Sequence, residues 1–138
     1  MDKRRGGLGY GIFAALGAEG GEIFGPNEKV HAEAGDRQPH YNPAAAGNQA
    51  GDFVVAWDDF RQGDSDIWLS SYNEDDEWSH DFSPEVASGA GEQSHPAVVL
   101  DDRGSLHLLW IERADMDSPS RLWYGRGLLR KPSLKTDK

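Results

Sequence analysis

The sequence predicts an all-β protein made of four-stranded antiparallel units, roughly two per chain, that recur about every 55 residues. The first observation is alternation. Phe53, Val55 and Trp57 alternate with Val54, Ala56 and Asp58, and Ile67, Leu69 and Ser71 alternate with Trp68, Ser70 and Tyr72. Runs this short, rich in β-branched and aromatic residues, suit pleated strands and lack a helical period. Gln62-Gly63-Asp64-Ser65 between them is turn chemistry, so the two runs form a hairpin. The second observation is recurrence. Ser105–Glu112 repeats the first run and Arg121–Gly125 the second, while Ile12-Phe13, Ile67-Trp68 and Leu122-Trp123 stand 55 residues apart. Gln38 and Gln93 share that spacing, as do His40 and His95, which places the two histidines at one repeat position. Trp57 and Trp110 are 53 apart, a difference assigned to loops, which vary in length while strands keep register.

Taken in order, residues 9–15 (GYGIFAA) read as a strand, followed by a turn at 17–21 and a short strand from Glu22 towards Val30. Residues 35–40 cross to the next unit. Residues 41–46 are a weak strand, 52–58 and 66–72 strong ones, and 78–86 an outer strand broken by Pro84, which a sheet edge tolerates best. After a crossing at 89–94, residues 97–100, 105–112 and 121–126 are strands, with Asp101-Asp102-Arg103-Gly104 a tight turn. A repeat of this length with about four strands is the pattern of a β-propeller blade. With strands lettered A to D from the centre outward, the chain reads C, D, A, B, C, D, A, B, C. The repeats fall at about 9–40, 41–94 and 95–127 of one unit spanning 1–138, with a polar, basic tail over 128–138.

The 138 residues have room for one domain, and 17 Gly, 7 Pro and a 37% hydrophobic share suit many short strands and turns. A net charge of −10 speaks against nucleic acid, which needs clustered Lys and Arg. The basic residues gather near the two ends, where a solvated tail is the simpler explanation. There is no cysteine, hence no disulfide or thiolate metal site. No apolar run approaches the roughly 18 residues of a membrane span. Met1–Arg5 and the glycine-rich stretch after it lack the apolar core of a signal peptide.

Ser71-Tyr72-Asn73-Glu74-Asp75-Asp76-Glu77-Trp78 resembles the Asp-box of sialidase-like (BNR-repeat) β-propellers, S-x-D-x-G-x-T-W, with Asn73 for Asp, Asp75 for Gly and Glu77 for Thr. Asn73 can still cap a turn and Asp75 can still adopt the left-handed conformation. The run from His95 to Trp110 and the segment Asp66–Ser71 look like the general blade unit of bacterial extracellular members of that class. The resemblance covers about residues 9–126 and implies a propeller, an extracellular setting and ligands on the face where D–A crossings meet B–C turns. It does not imply one activity, since such blades serve sialidases, lectins, lyases and bare scaffolds. A sialidase would need an arginine triad, a tyrosine–glutamate pair and an acidic aspartate. Arg37, Arg61, Arg113, Glu112 and Tyr124 do not map onto that constellation.

Topology places His40, Asp58, Asp59, Arg61, His95, Glu112 and Arg113 on the D–A/B–C face. Asp58, Asp59 and Arg61 could bind a sugar or an anion; the structural alternative has Asp58 capping the turn and Arg61 pairing with it. The repeated histidines read as structural rather than as a metal pair, and Asp64-Ser65-Asp66 lacks the oxygens of a calcium site. Trp57 and Trp110 pack between units. Trp68 and Trp123 do the same, or stack on a sugar ring. The leading reading is a non-catalytic, carbohydrate-binding module with no cofactor or metal. The alternatives are a piece of a larger glycosidase and an interaction scaffold without a small ligand. Two-odd blades leave apolar faces bare, so self-association is expected, with three copies closing a six-bladed ring; the alternative is a fragment of a longer propeller, cut mid-blade at both ends.

Overall fold

The computed structural model describes residues 11–17, 23–31, 39–72 and 78–129. They are all-β: three small antiparallel sheets, with one 3-10 turn at Glu85–Ala87 and no α-helix among the described residues. The first sheet pairs β1 (Phe13–Ala14) with β2 (Glu28–Lys29). The second holds β3 (His40–Gly47), β4 (Phe53–Asp59) and β5 (Asp66–Tyr72) in that order. The third holds β6 (Glu92–Leu100), β7 (Ser105–Arg113) and β8 (Arg121–Leu128).

Alternation decides how the sheets stack, because successive side chains on a strand point to opposite faces. Val54, Ala56, Ile67 and Leu69 of the second sheet pack against Leu100, Leu106, Leu108 and Trp110 of the third. Val55 and Trp57 point the other way, onto Ile12 and Val30 beside the first sheet. The second sheet is therefore covered on both faces, and β4 is buried from Val54 to Asp59. Two hydrogen bonds tie the second and third sheets at one end, Gln93 N donating to Ser65 O (2.8 Å) and the Ser65 side chain, through Oγ, to Gln93 O (2.7 Å). At the other end Asn48 Nδ2 donates to Asp101 O (2.8 Å).

Several expectations need correcting. Residues 78–86 form no continuous strand: Trp78 and Phe82 make isolated bridges to Tyr72 and Leu69. Serine side chains add to the backbone bonds at these bridges: Ser71 N donates to Ser79 Oγ (3.0 Å) and, beyond Phe82, Ser83 Oγ to Ile67 O (2.6 Å). Pro84, with no N–H, then leads into the 3-10 turn. Strand β6 begins at Glu92, so the expected crossing at 89–94 is partly strand. Most of the predicted 9–15 strand reduces to Phe13–Ala14, residues 9 and 10 lying outside the described residues. The turn at 17–21 lies mostly outside them, as do Gln38 and the centre of the Asp-box-like segment, 73–77.

The repeat register also differs from the spacing of 55. His40 lies opposite Asp59 and Gln93 opposite Glu112, each acid two residues past a strand tryptophan. Asn42 and His95 both have positive φ (52° and 56°) at a break in register, and each precedes a proline. Thus Asn42-Pro43-Ala44 matches His95-Pro96-Ala97 at a spacing of 53, the same as Trp57 to Trp110. His40 and His95 do not share a repeat position; the equivalents are His40 with Gln93 and Asn42 with His95. Only the loop before β8 is longer, which restores 55 for Trp68 and Trp123.

Candidate functional site

Trp57 and Asp59, two apart on β4, share the face towards the first sheet. Trp57 Nε1 donates to Asp59 Oδ2 at 2.8 Å. The chain turns after Asp59 and brings Arg61 back onto it: Arg61 N and Nε donate to Oδ1 (2.9 and 3.0 Å) and Nη2 to Oδ2 (2.6 Å). Such a fork fixes both charge and direction. Arg61 Nη2 also reaches Asp81 Oδ2 (2.8 Å), and its guanidinium carbon sits 3.8 Å over the Trp68 ring. His40 Nε2 is 3.3 Å from Asp59 Oδ2, and the His40 ring stacks on His31 with centroids 4.0 Å apart. Burial by itself would raise the Asp59 pKa. The bonds from His40, Arg61 and Trp57 outweigh it and hold this carboxyl well below the usual carboxylate range. With both oxygens engaged and no exposed surface, Asp59 is a structural anion rather than a base.

Asp58 faces the third sheet. Its Oδ2 accepts Asn42 Nδ2 and its Oδ1 accepts His95 N, both at 2.8 Å, so one carboxylate holds the two left-handed residues. Burial pushes its pKa up, against the lowering effect of those bonds. The residue that caps the turn and pairs with Arg61 is therefore Asp59; the expected role of Asp58 is corrected. The His95 ring is 3.0 Å from Ser94 Oγ through Nδ1.

The matching corner of the third sheet is open. Trp110 Nε1 donates to Glu112 Oε2 at 3.0 Å, repeating the Trp57–Asp59 bond. The position of Arg61 is taken by Ala114, so no guanidinium covers Trp123, the partner of Trp68, and this indole is 47% exposed. Strand pairing sets Glu112 beside Arg121 and Trp110 beside Trp123, all on the face that Gln93 shares. Arg121 is exposed and forms no ion pair among the described residues. Gln93 is buried, and its Oε1 has no hydrogen-bond partner. A bare indole, an unpaired guanidinium, a carboxylate with one oxygen in use and a buried acceptor thus meet in one place.

The nine sequence-predicted residues fall into separate groups. His40, Asp59, Arg61 and Trp68 meet in the closed corner, Asp58 meets His95 between the sheets, and Glu112 and Trp123 share the open corner. Arg113 points to the opposite face of β7 and pairs with Glu92 at 3.2 Å. Sequence reasoning missed His31, Asn42, Asp81 and Arg121. The paired Asn-Pro-Ala and His-Pro-Ala segments could have revealed Asn42 and, by correcting the register, the open corner. A cleft of about 590 Å³ lies at the other end of the second sheet, lined by Ala14, Ala45, Phe53, Val55, Tyr72 and Trp78 among others, and includes none of the nine. Among the described residues no group of three His, Asp or Glu is placed to hold a metal ion. No protein-family model matches this chain, and comparison with curated proteins and with solved structures finds no match either.

Proposed function

We propose that the chain is a non-catalytic binding module of β-propeller type, its sheets serving as successive blades, and that it takes a carbohydrate at the open corner of the third sheet. The uncovered Trp123 indole carries this reading, standing where the twin position in the second sheet is capped by Arg61. A sugar needs a flat apolar wall for its C–H face and directional polar groups for its hydroxyls. Trp123 offers the first; Arg121 and Glu112 offer the second. The closed corner has no such capacity, since Arg61 covers its indole and both Asp59 oxygens are already engaged.

The test is a glycan array on the full chain, followed by titration of each hit through tryptophan fluorescence. Binding should weaken at least about tenfold in Trp123→Ala, as for an aromatic hot spot. It should weaken less in Arg121→Gln and hold in Arg103→Ala, which lies at the opposite end of the third sheet. No binding to any glycan, or binding that survives Trp123→Ala with near-UV dichroism intact, would remove the carbohydrate reading.

A further inference from the structure

The third sheet covers the second with one face and leaves its other face bare. By strand pairing that face carries Ala97 and Val99 of β6, His107, Leu109 and Ile111 of β7, and Leu122, Tyr124 and Arg126 of β8. Val99, Leu122 and Tyr124 are largely exposed. Its matched residues in the second sheet include Ala46, Val54, Ala56, Ile67 and Leu69, and there the third sheet covers them. We infer that the bare face docks a second copy of this chain, head to tail, against the outer side of that copy's first sheet.

Three observations select this occupant. Both sheet contacts inside the chain join the same two kinds of face in the same order, so a third contact of that kind continues an interface the chain already builds twice. The first sheet presents the complementary end. Phe24, bridged to Gly17 as Trp78 is to Tyr72, is exposed at the place where Trp78 packs towards the preceding sheet. Phe13, at the repeat position of Trp68, stands half-buried on the same side. Finally, His107 at the centre of the bare face is already partnered, its Nδ1 2.7 Å from Tyr124 Oη and its Nε2 3.4 Å from Asp101 Oδ2, and the exposed Arg126 opposite it has a long stem that can carry its charge to the rim. Covering groups that are already paired avoids the penalty of stranding them. A contact between unlike faces either closes into a ring or extends, according to the rotation between copies. The inference rests on sheet register and exposure and is independent of any ligand.

Light scattering behind size exclusion reads the outcome. Wild type at about 100 µM should run larger than one chain and dissociate on dilution. Leu122→Glu and Phe24→Glu each remove one end, so each alone should be monomeric with an unchanged far-UV spectrum. Mixed one to one, they should form a two-chain complex, because each retains the end the other lacks. Val99→Glu replaces Leu122→Glu should that variant fail to fold, and Phe24→Ser replaces Phe24→Glu likewise. A monomeric wild type would overturn the inference. So would a Phe24→Glu or Phe24→Ser chain that still self-associates, which would mean that two bare faces meet each other instead.

Discussion

Ile67 and Leu122 occupy the same place in the second and third sheets, each one residue before the tryptophan that pairs across to Trp57 or Trp110. Ile67 is 0% exposed and Leu122 is 72% exposed. The strands around them share order, register break and a Trp–carboxylate bond, so local sequence preference cannot account for the difference. What differs is the neighbour: among the described residues the second sheet lies between two others, and the third packs against one. The same contrast holds at the corners, where Trp68 lies under Arg61 and Trp123 is bare. Repetition supplies the framework, and the places where it is incomplete are the places left free to bind.

The contrast breaks most visibly at the tryptophans. Trp57→Ala removes a fully buried ring together with its bond to Asp59, and should cost about 3–5 kcal/mol in urea unfolding, as for large core truncations. Trp123→Ala should cost no more than about 1 kcal/mol, in the range of surface changes. Both are measured in the Leu122→Glu background, so that assembly does not enter. Equal losses would mean that the two sheets are not distinguished by their neighbours.

The carboxylates come next. Asp59→Ala strands Arg61 and the Trp57 indole, and removing one partner of a buried pair costs about 3–5 kcal/mol; Glu112→Ala, at a partly exposed site, should cost about 1 kcal/mol. The pH dependence sharpens this. The Asp59 pKa is lower folded than unfolded, so its contribution is complete above about pH 4 and drains away as pH falls below that. Asp58 and Asp66 are raised, chiefly by burial, so the folded state holds their protons more tightly. Their contribution is present at low pH and is lost as pH rises from about 4 through their folded values. Asp59→Asn should flatten the acid limb of a stability–pH curve, and Asp58→Asn should flatten the opposite slope above about pH 4. An unchanged acid limb in Asp59→Asn would show that the closed corner does not hold an ionised carboxylate.

Much of the fold was legible because alternation reports directly on strands: β4, β5, β7 and β8 were found within two residues at either end. The outer strand at 78–86 was not, because its backbone pairs with β5 only around Trp78–Ser79 and Phe82, with Ser79 and Ser83 side chains adding bonds that leave no periodic trace. The site was half legible. Asp59 and Arg61 stand out as charged residues after an apolar strand, but sequence does not say which of two adjacent aspartates faces the arginine; strand parity, fixed by Trp57, decides it. The identity of His40 and His95 suggests a spacing of 55 that the strands do not keep. The two prolines, at 53, mark the true register, since each follows a residue in the left-handed region that breaks the strand in the same way. Arg121 escaped notice because its meaning lies in what Ala114 lacks.

That last point gives the smallest and most direct test. Ala114→Arg restores a guanidinium to the third sheet at the position of Arg61, on an exposed residue with room to accept it. A cation over an indole at a partly exposed site contributes about 0.5–1 kcal/mol, and an exposed ion pair with Glu112 adds little to that. Stability should therefore rise by no more than about 1 kcal/mol. The clearer signal is optical: acrylamide quenching of Trp123, isolated by subtracting a Trp123→Phe control, should fall as the ring is covered. Any glycan found by the array should bind Ala114→Arg more weakly for the same reason. If quenching is unchanged, Glu112, one methylene longer than Asp59, does not orient the new arginine, and the corner is open because of its carboxylate as well as its missing guanidinium. Glu112→Asp in the same chain separates the two, since shortening the side chain recreates the second sheet's geometry and should then close the corner.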